Sequence, residues 1–253
     1  MHRPKYKPWI RSKAVAIFGV LTLVAIALNF FAFINLIFLL FIVPAVVFCY
    51  IFLIVGMSRL WFSRIGGDYQ SKIHSLIVSR IVGTRILDIG CGSGHLLSKI
   101  AKTKPESELV GIDYWGDDWE YSKELCIGNF KAEKISNKVE FRKETASHLP
   151  NDLGNFDCIV SCLTFHEVKD VEDKTISINE ALRHLNKGGK FIFLDLFRDN
   201  KYYTVYKQIE EAIKNSQCTI TEKLGLSDIL NLPFPLKHTK VLGNAELIVG
   251  IKT

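Results

Sequence analysis

The sequence has no charged residue over a long stretch near its start. Residues 14–57 contain no Asp, Glu, Lys or Arg. A signal peptide has an apolar segment of only about 7–15 residues, so this stretch is too long to be one. A helix of about 20 apolar residues spans a bilayer. The stretch therefore predicts two membrane-spanning helices with a turn near Asn35. Pro44 lies in the second helix, where lipid tolerates a kink. One long buried helix is a weaker alternative, because a soluble domain of this size does not need such a run.

Motifs for zinc binding and for phosphate loops are also missing. The six cysteines form no C-x-x-C pair and have no paired His/Cys spacing, so we expect no metal site. Free buried cysteines are typical of proteins in the reducing cytoplasm. No Gly-Lys-Ser or Gly-Lys-Thr follows a glycine-rich loop, which disfavours a P-loop nucleotide site.

Acidic residues are missing from the first 13 residues, which carry five basic ones. These are Arg3, Lys5, Lys7, Arg11 and Lys13. Because the formal net charge is +6, the rest of the chain is close to neutral. A clustered basic face is expected of a nucleic-acid-binding domain, so we expect no nucleic-acid partner. Arg59 and Arg64 follow the apolar stretch, and basic residues at both of its ends predict that both ends face the cytoplasm of a two-pass cell-membrane protein.

A glycine-rich loop follows the first strong strand signal after the apolar stretch. The run Ile86-Leu87-Asp88-Ile89 leads into Gly90, Gly92 and Gly94, and an amphipathic run begins at His95. This order predicts a buried strand, a tight loop and a helix. The spacing is G-x-G-x-G, whereas a dinucleotide-binding loop reads G-x-G-x-x-G and would need glycine at position 95.

A second strand signal ends in Asp113, about twenty residues later. An acid at this distance in a βαβ unit accepts hydrogen bonds from ribose hydroxyls. With these two motifs, residues 68–253 resemble the class I S-adenosylmethionine (SAM)-dependent methyltransferases. The resemblance implies SAM as the cofactor, the glycine loop against its amino-acid part and Asp113 on its ribose. Asp113 as the N-cap of a helix starting near Asp117 is the alternative.

The resemblance implies further cofactor contacts on neighbouring strand ends. Tyr114 and Trp115 line the adenine side or are ordinary aromatic residues. Thr145 stands where the family often has an adenine-binding acid, which leaves the backbone of Thr145 and Ala146 to make much of that contact. Ser161 would pass beneath the methionine part. The implied cofactor-binding set is Asp88, Gly90, Cys91, Gly92, Gly94, Asp113, Tyr114, Thr145, Ala146 and Ser161.

The fourth strand is followed by His166 and Glu167, where the methyl acceptor has to arrive. Methyl transfer is an in-line displacement in which alignment supplies much of the catalysis. A hydroxyl acceptor also needs a base, and histidine titrates in the useful range. We therefore predict catalytic roles for His166 and Glu167; a structural cap at the strand end is the alternative. Asp195 ends the fifth strand, where it either binds substrate or caps backbone amides.

Strand and helix signals alternate through the remaining chain and predict an α/β fold, in which we expect helices over 117–134 and 170–185, a turn at 187–190 and a strand over 190–197. We expect a Rossmann-like seven-stranded, mostly parallel sheet with helices on both faces and a C-terminal antiparallel hairpin turning at Gly243-Asn244. The expected divisions are a basic cytoplasmic tail (1–13), a transmembrane helical hairpin (14–57), a juxtamembrane linker and helix (58–82) and a methyltransferase domain (83–253).

The predicted function is a membrane-anchored methyltransferase that transfers the methyl group of SAM to a small acceptor. The anchor suggests a lipid or another lipophilic acceptor. A catalytically silent SAM-binding scaffold or sensor is the alternative, motivated by the missing adenine-binding acid. An NAD or nucleotide-sugar enzyme is a third hypothesis, which the glycine spacing disfavours.

Overall fold

A computed structural model describes residues 3–116, 119–203 and 206–253. The chain forms two compact units. One unit is Pro8–Gln70, and the other combines the residues up to Lys7 with Ser71–Thr253. The first unit is thus inserted between two segments of the second.

The Pro8–Gln70 unit is a helical hairpin. Its helices are α1 (Ser12–Phe30) and α2 (Ile42–Phe62), joined by two 3₁₀ turns at Phe31–Phe33 and Leu36–Phe41. Asn35 lies at the predicted reversal, where its side chain accepts a hydrogen bond from the Ile37 N–H at 2.9 Å. Pro44 falls in the first turn of α2. A missing N–H costs no helical hydrogen bond there, so Pro44 fits the helix without a kink.

The second unit is built on one seven-stranded sheet in the order β3-β2-β1-β4-β5-β7-β6. All neighbours are parallel except β7, which is antiparallel to both β5 and β6. This confirms the predicted fold class. The strands are β1 (Arg85–Ile89), β2 (Glu108–Asp113), β3 (Val139–Lys143), β4 (Phe156–Cys162), β5 (Leu185–Asp195), β6 (Cys218–Gly225) and β7 (Glu246–Lys252).

Helices cover the sheet, and the central strands are buried on both faces. Phe156, Phe191 and Phe193 are fully buried, as expected for parallel strands with near-continuous apolar runs. The switch in strand order lies between β1 and β4, so ligands are expected at the carboxyl ends of these strands. The helices are α3 (Tyr69–Val78), α4 (His95–Thr103), α5 (Lys123–Ala132), α6 (Thr175–Arg183), α7 (Tyr206–Asn215) and α8 (Leu226–Ile229).

The partner of the last strand was predicted wrongly. We expected residues 237–242 to pair with 245–252 through a turn at Gly243-Asn244, but β7 pairs with Cys218–Gly225. Residues 237–243 form local turns instead, in which the N–H groups of Val241 and Gly243 both donate to the His238 carbonyl. The β-branched, alternating run Thr219-Ile220-Thr221 fits the pleated edge strand better.

Two helices are shorter than predicted, and one strand begins earlier. The helix expected over 117–134 begins at Lys123, where Ser122 accepts a hydrogen bond from the Leu125 N–H at 3.1 Å as the N-cap. Asp117, the predicted helix start, lies outside the described residues. The helix expected over 170–185 is confined to Thr175–Arg183. The expected turn at 187–190 lies inside β5, where the β4–β5 register shifts.

Candidate active site

The first half of the candidate site lies at the carboxyl ends of β1 and β2, and we call it the cofactor half. Asp88 is on β1 and 1% exposed, and Asp113 ends β2. The two carboxylate oxygens of Asp113 accept hydrogen bonds from the N–H groups of Gly92 at 2.9 Å and Trp115 at 2.8 Å. Asp113 therefore ties the glycine loop to the end of the next strand.

Both acids are harder to ionise than ordinary carboxyl groups. Burial, followed by repulsion from Asp113, raises the pKa of Asp88 to about 8. Burial also raises the pKa of Asp113, although the N–H groups of Trp115 and Gly92 oppose the shift. The Oδ2 atom of Asp88 is buried, and no described residue is within hydrogen-bonding distance of it. A positive group brought into this half would stabilise both carboxylates.

The glycine loop is tightly packed by protein side chains. Gly90 has a φ of +77°, and a Cβ placed on it would lie 2.0 Å from Thr164 Oγ1, so only glycine fits there. The ring of Tyr121 lies 3.5 Å from a Cβ built on Gly92. We expected the glycines to admit the ligand itself. At Gly90, however, the lack of a side chain admits Thr164, whereas a Cβ on Gly92 would be in ordinary van der Waals contact with Tyr121.

Two further side chains bond to the carbonyl of Gly92. The indole N–H of Trp115 donates to this oxygen at 2.9 Å, and the thiol of Cys126 lies 3.1 Å from it. Trp115 was expected on the adenine side or as an ordinary aromatic residue, and its bond to the loop carbonyl was not predicted. Cys126 was not predicted as a site residue, because its position on α5 carries no recognisable motif. Cys91 is buried in the loop, and burial raises the pKa of its thiol well above the ordinary value. Cys91 therefore contributes shape, not charge.

The remaining predicted cofactor residues differ in how exposed their side chains are. Tyr114 is 66% exposed, with the Lys143 ammonium 5.5 Å from its ring centre. Ala146 is buried. The hydroxyl of Ser161 is buried and donates to the Ile89 carbonyl at 3.2 Å, so it joins β4 to β1 beneath the loop. The cofactor roles of these residues stay predictions.

An acid that sequence reasoning missed lies beside Thr145. The Thr145 hydroxyl donates to Asp170 Oδ2 at 2.7 Å, and the Ser147 hydroxyl contacts the same oxygen at 2.5 Å. Thr145, at the position where the resemblance implies that the family often has an adenine-binding acid, thus donates to a carboxylate from the loop after β4. The 25-residue separation hid this pairing, since no local pattern links the two residues.

The second half of the site lies at the carboxyl ends of β4 and β5, and we call it the acceptor half. His166 Nδ1 lies 2.5 Å from Oδ1 of Asp195, which is fully buried at the end of β5. Burial by itself lowers the pKa of His166, but the charge and hydrogen bond of Asp195 outweigh it and raise this pKa to about 10. Asp195 also accepts the Leu196 N–H at 2.6 Å, which confirms that it caps a backbone amide; its binding of substrate stays a prediction.

The other nitrogen of His166 faces the edge of the domain. Its Nε2 atom lies 3.5 Å from Oε1 of Glu167, whose side chain is 40% exposed. The ring of Tyr202 lies 5.1 Å from the His166 ring. The structure therefore brings the two predicted catalytic residues together with Asp195, which orients the imidazole. Tyr202 was not predicted, because it lies on the connection after β5.

The cofactor half fits SAM, whose sulfonium and ammonium groups are cationic. Asp88 is buried and Asp113 is half-buried, and neither has an ion-pair partner in the part of the chain that the structure describes. They would hold the positive cofactor, and Asp113 would meet its ribose. When bound, SAM supplies a methyl group on a positively charged sulfur. Among the described residues no cluster of His, Cys, Asp and Glu that would hold a metal ion is found.

Comparisons with known proteins agree with this geometry. A family model described as a methyltransferase domain matches residues 82–235. The chain is similar to the ribosomal RNA small subunit methyltransferase C of Cronobacter sakazakii, with 30% identity over 51% of this chain and 36% of that protein. It is also similar to the ubiquinone/menaquinone biosynthesis C-methyltransferase UbiE of Pseudomonas fluorescens, with 27% identity over 60% of this chain and 55% of that protein.

A solved structure supports the fold. Magnesium protoporphyrin IX methyltransferase from Synechocystis, with bound SAM, superposes with a TM-score of 0.56 at 13% identity, over 77% of this chain and 88% of that chain. The chain spans only 36% to 66% of the length of the first curated relatives that it matches. Because the family model covers more than half of the chain, the protein belongs to the methyltransferase-domain family, and its fold is that of the SAM-binding methyltransferase.

Proposed function

We propose that the protein is anchored in the cell membrane and methylates a hydroxyl group of a small lipophilic acceptor. The observation that carries the hydroxyl assignment is the His166–Asp195 pair, with 2.5 Å between Nδ1 and Oδ1. A carboxylate on one imidazole nitrogen fixes the tautomer and makes the other nitrogen a stronger base. Nε2 of His166 is then oriented to accept a proton from the acceptor.

The proposed reaction requires only His166 and Asp195 from the protein. Nε2 of His166 takes the hydroxyl proton, the acceptor oxygen forms a bond to the methyl carbon, and the carbon–sulfur bond of SAM breaks. Asp195 stabilises the imidazolium that results. A positioned base typically contributes about 10²–10⁴-fold. The ring is mostly protonated at neutral pH, since its pKa is raised to about 10, so this base works best toward alkaline pH or on an acidic hydroxyl.

Membrane anchoring is supported by length and composition. Two helical segments, Ser12–Phe33 and Leu36–Phe62, are long and apolar enough to cross a bilayer. Their large apolar side chains are widely exposed, with Phe33 and Leu36 each 75% exposed. In water such a surface would be a strong aggregation hazard, whereas lipid would cover it.

The proposed topology places both ends of the hairpin on the side of the catalytic unit. Residues before the hairpin, up to Lys7, and residues after it, from Ser71, belong to the same compact unit. Segments that fold together have to be on one side of the membrane, which requires an even number of crossings. The basic residues at both ends of the hairpin favour the cytoplasmic side.

A lipophilic acceptor is supported by the anchor and by one relative. UbiE is named for ubiquinone and menaquinone biosynthesis. Another relative is named for ribosomal RNA, but the near-neutral balance outside the first 13 residues disfavours a nucleic-acid surface here.

The function is tested with tritiated SAM and the full chain in membranes. We expect labelled methyl groups to enter the organic phase of a lipid extract and to be stable to the mild base that cleaves methyl esters. Label that appears only in the aqueous phase or in RNA would contradict the acceptor class. His166→Gln supplies the negative control, because it should abolish most of the transfer.

The topology is tested by cysteine labelling with a membrane-impermeant thiol reagent in intact cells. Asn35→Cys, at the hairpin turn, should react from outside. The matched variant Ser63→Cys, just after α2, should react only after permeabilisation. Reaction of both residues from outside, or release of the chain from membranes by alkaline carbonate, would contradict the anchor.

The alternative of a silent SAM-binding scaffold is favoured by one feature of the acceptor half: the Asp195 carboxylate on Nδ1 raises the pKa of His166 to about 10, which leaves little of the free base at neutral pH. A scaffold would bind SAM and show no turnover on any extract at any pH. Turnover that rises toward alkaline pH would reject it.

A further inference from the structure

A short segment ahead of the hairpin packs onto the catalytic unit beside the glycine loop. We call residues 5–7 the N-terminal strap. The strap belongs to the same compact unit as the sheet, although more than sixty residues of hairpin separate it from the next part of that unit. Its contacts involve backbone, hydroxyl and ring atoms, so they go beyond a basic tail attracted to lipid headgroups.

The first contact runs through Asn129 on α5, which is 2% exposed. Its Oδ1 accepts a hydrogen bond from the Lys5 N–H at 2.7 Å, and its Nδ2 lies 3.3 Å from the Lys5 carbonyl. The same amide nitrogen donates to the Ser93 carbonyl at 2.9 Å. One buried side chain thus joins the strap to the middle of the glycine loop.

The second contact is made by Tyr6. Its ring stacks on His95, the first residue of α4, with 4.2 Å between ring centres and 13° between the planes. Its hydroxyl bonds to Ser98 Oγ at 2.8 Å and to Glu133 Oε2 at 2.7 Å. Tyr6 therefore spans from the first turn of α4 to the end of α5, and it covers the helix start that follows the loop.

The glycine loop needs support of this kind. Gly94 precedes α4 in the left-handed region, with φ +77°, and as the N-cap it makes no side-chain hydrogen bond. Glycine also has a large backbone entropy to lose when the loop is ordered. A loop with three alternating glycines is held by its neighbours, and on this side the neighbours are Asn129 and the strap.

We propose that the N-terminal strap positions the cofactor loop, so that Tyr6 and Asn129 are positioning residues for SAM binding. The strap touches the loop and α4 but is not proposed to touch the cofactor. Without it, residues 93–98 would sample more conformations, and SAM would have to order them on binding. The inference goes beyond the proposed function, since it needs only SAM binding and neither a lipid acceptor nor the membrane topology.

The test is calorimetric titration of SAM into the full chain in detergent micelles, with hydrogen exchange measured on the same samples. Tyr6→Ala should weaken SAM binding by about tenfold, which is about 1.4 kcal/mol, and should speed exchange at residues 93–98 selectively. Tyr6→Phe keeps the stack on His95 and loses only the hydroxyl bonds, so its effect should be about threefold. Arg3→Ala, an exposed change in the same tail, should leave SAM affinity unchanged.

Unchanged SAM affinity in a folded Tyr6→Ala protein would overturn the proposal. Exchange that rises throughout the sheet, in place of residues 93–98, would reduce the strap to a general stability contact and would also overturn it. If Tyr6→Ala does not fold, Tyr6→Phe decides: threefold weaker binding with unchanged melting temperature supports positioning, and wild-type affinity rejects it.

Discussion

The two halves of the active-site edge hold their acids in opposite ways. In the cofactor half, Asp88 and Asp113 are bonded to no cationic side chain among the described residues, and the pKa of each is raised. In the acceptor half, Asp195 is fully buried and has its own cation, His166. One half is therefore built to receive positive charge from outside, and the other half is balanced before any ligand arrives. This difference indicates which partner each half is shaped for.

The largest effect is expected from removing the cation of the acceptor half. His166→Gln should lower the rate of methyl transfer by about 10²–10⁴-fold, while leaving SAM affinity within about twofold, since the two halves do not share this residue. The measurement pairs tritium transfer with SAM titration. Glu172→Gln, an exposed acid nearby, is the matched control, and Glu167→Gln should fall between the two. Equal losses in rate and in SAM affinity would show that the halves are not separate.

The next largest effect is expected in the pH dependence of the transfer rate, which His166 in the acceptor half sets. Because the His166 pKa is about 10, the transfer rate should rise about tenfold per pH unit from pH 7 and level off near pH 10.

The free energy of unfolding should fall as the pH rises. The folded pKa lies above the ordinary value of 6.5, so the stabilisation from the His166–Asp195 pair is complete below about pH 6.5 and is lost as pH rises through 10. Rate and melting-temperature profiles of wild type and His166→Gln check both; a rate plateau at pH 7 would contradict them.

A smaller loss is expected when the cofactor loop is distorted. Gly90→Ala places a methyl group 2.0 Å from Thr164 Oγ1 at a φ of +77°, so the loop or Thr164 has to shift. SAM affinity should fall by on the order of a hundredfold, about 2.7 kcal/mol. Gly128→Ala on α5 is the control, because a Cβ there meets nothing within 4 Å. Normal SAM binding by Gly90→Ala would remove the loop from the cofactor site.

The smallest effect concerns the charge that the cofactor half exchanges on binding. The pKa of Asp88 is raised to about 8, so at pH 7 much of this carboxyl group is protonated. A bound cation lowers this pKa and releases a proton, and SAM affinity should therefore rise by less than tenfold between pH 7 and 8. Calorimetry in buffers of different ionisation enthalpy measures the proton release. Asp88→Asn should abolish the release, and a release that persists would assign it to another group.

Local sequence patterns predicted the strands and the acidic residues at their ends. They did not predict the contacts between residues that are distant in the sequence. The run from Ile86 to Gly94 specified strand, loop and helix at once, because hydrophobic periodicity and glycine both act locally. The pairing of β7 with Cys218–Gly225 was missed, since two apolar runs around Gly243-Asn244 satisfied the same hairpin rule.

The long-range side-chain pairs were missed for a similar reason. His166 and Asp195 were each placed at a strand end, but their bond depends on the geometry of two neighbouring strands. The link from Thr145 to Asp170 and the link from Tyr6 to His95 join segments that no sequence spacing relates.

The hairpin interrupts the catalytic unit instead of preceding it, and this affects how a water-soluble form should be made. A truncation that begins at Ser71 discards Tyr6 together with the apolar helices. Splicing Lys7 to Ser71 through a short polar linker would remove the same helices and retain the strap. An enzyme prepared by the first route should bind SAM more weakly because it lacks the strap, and not because its membrane helices have been removed.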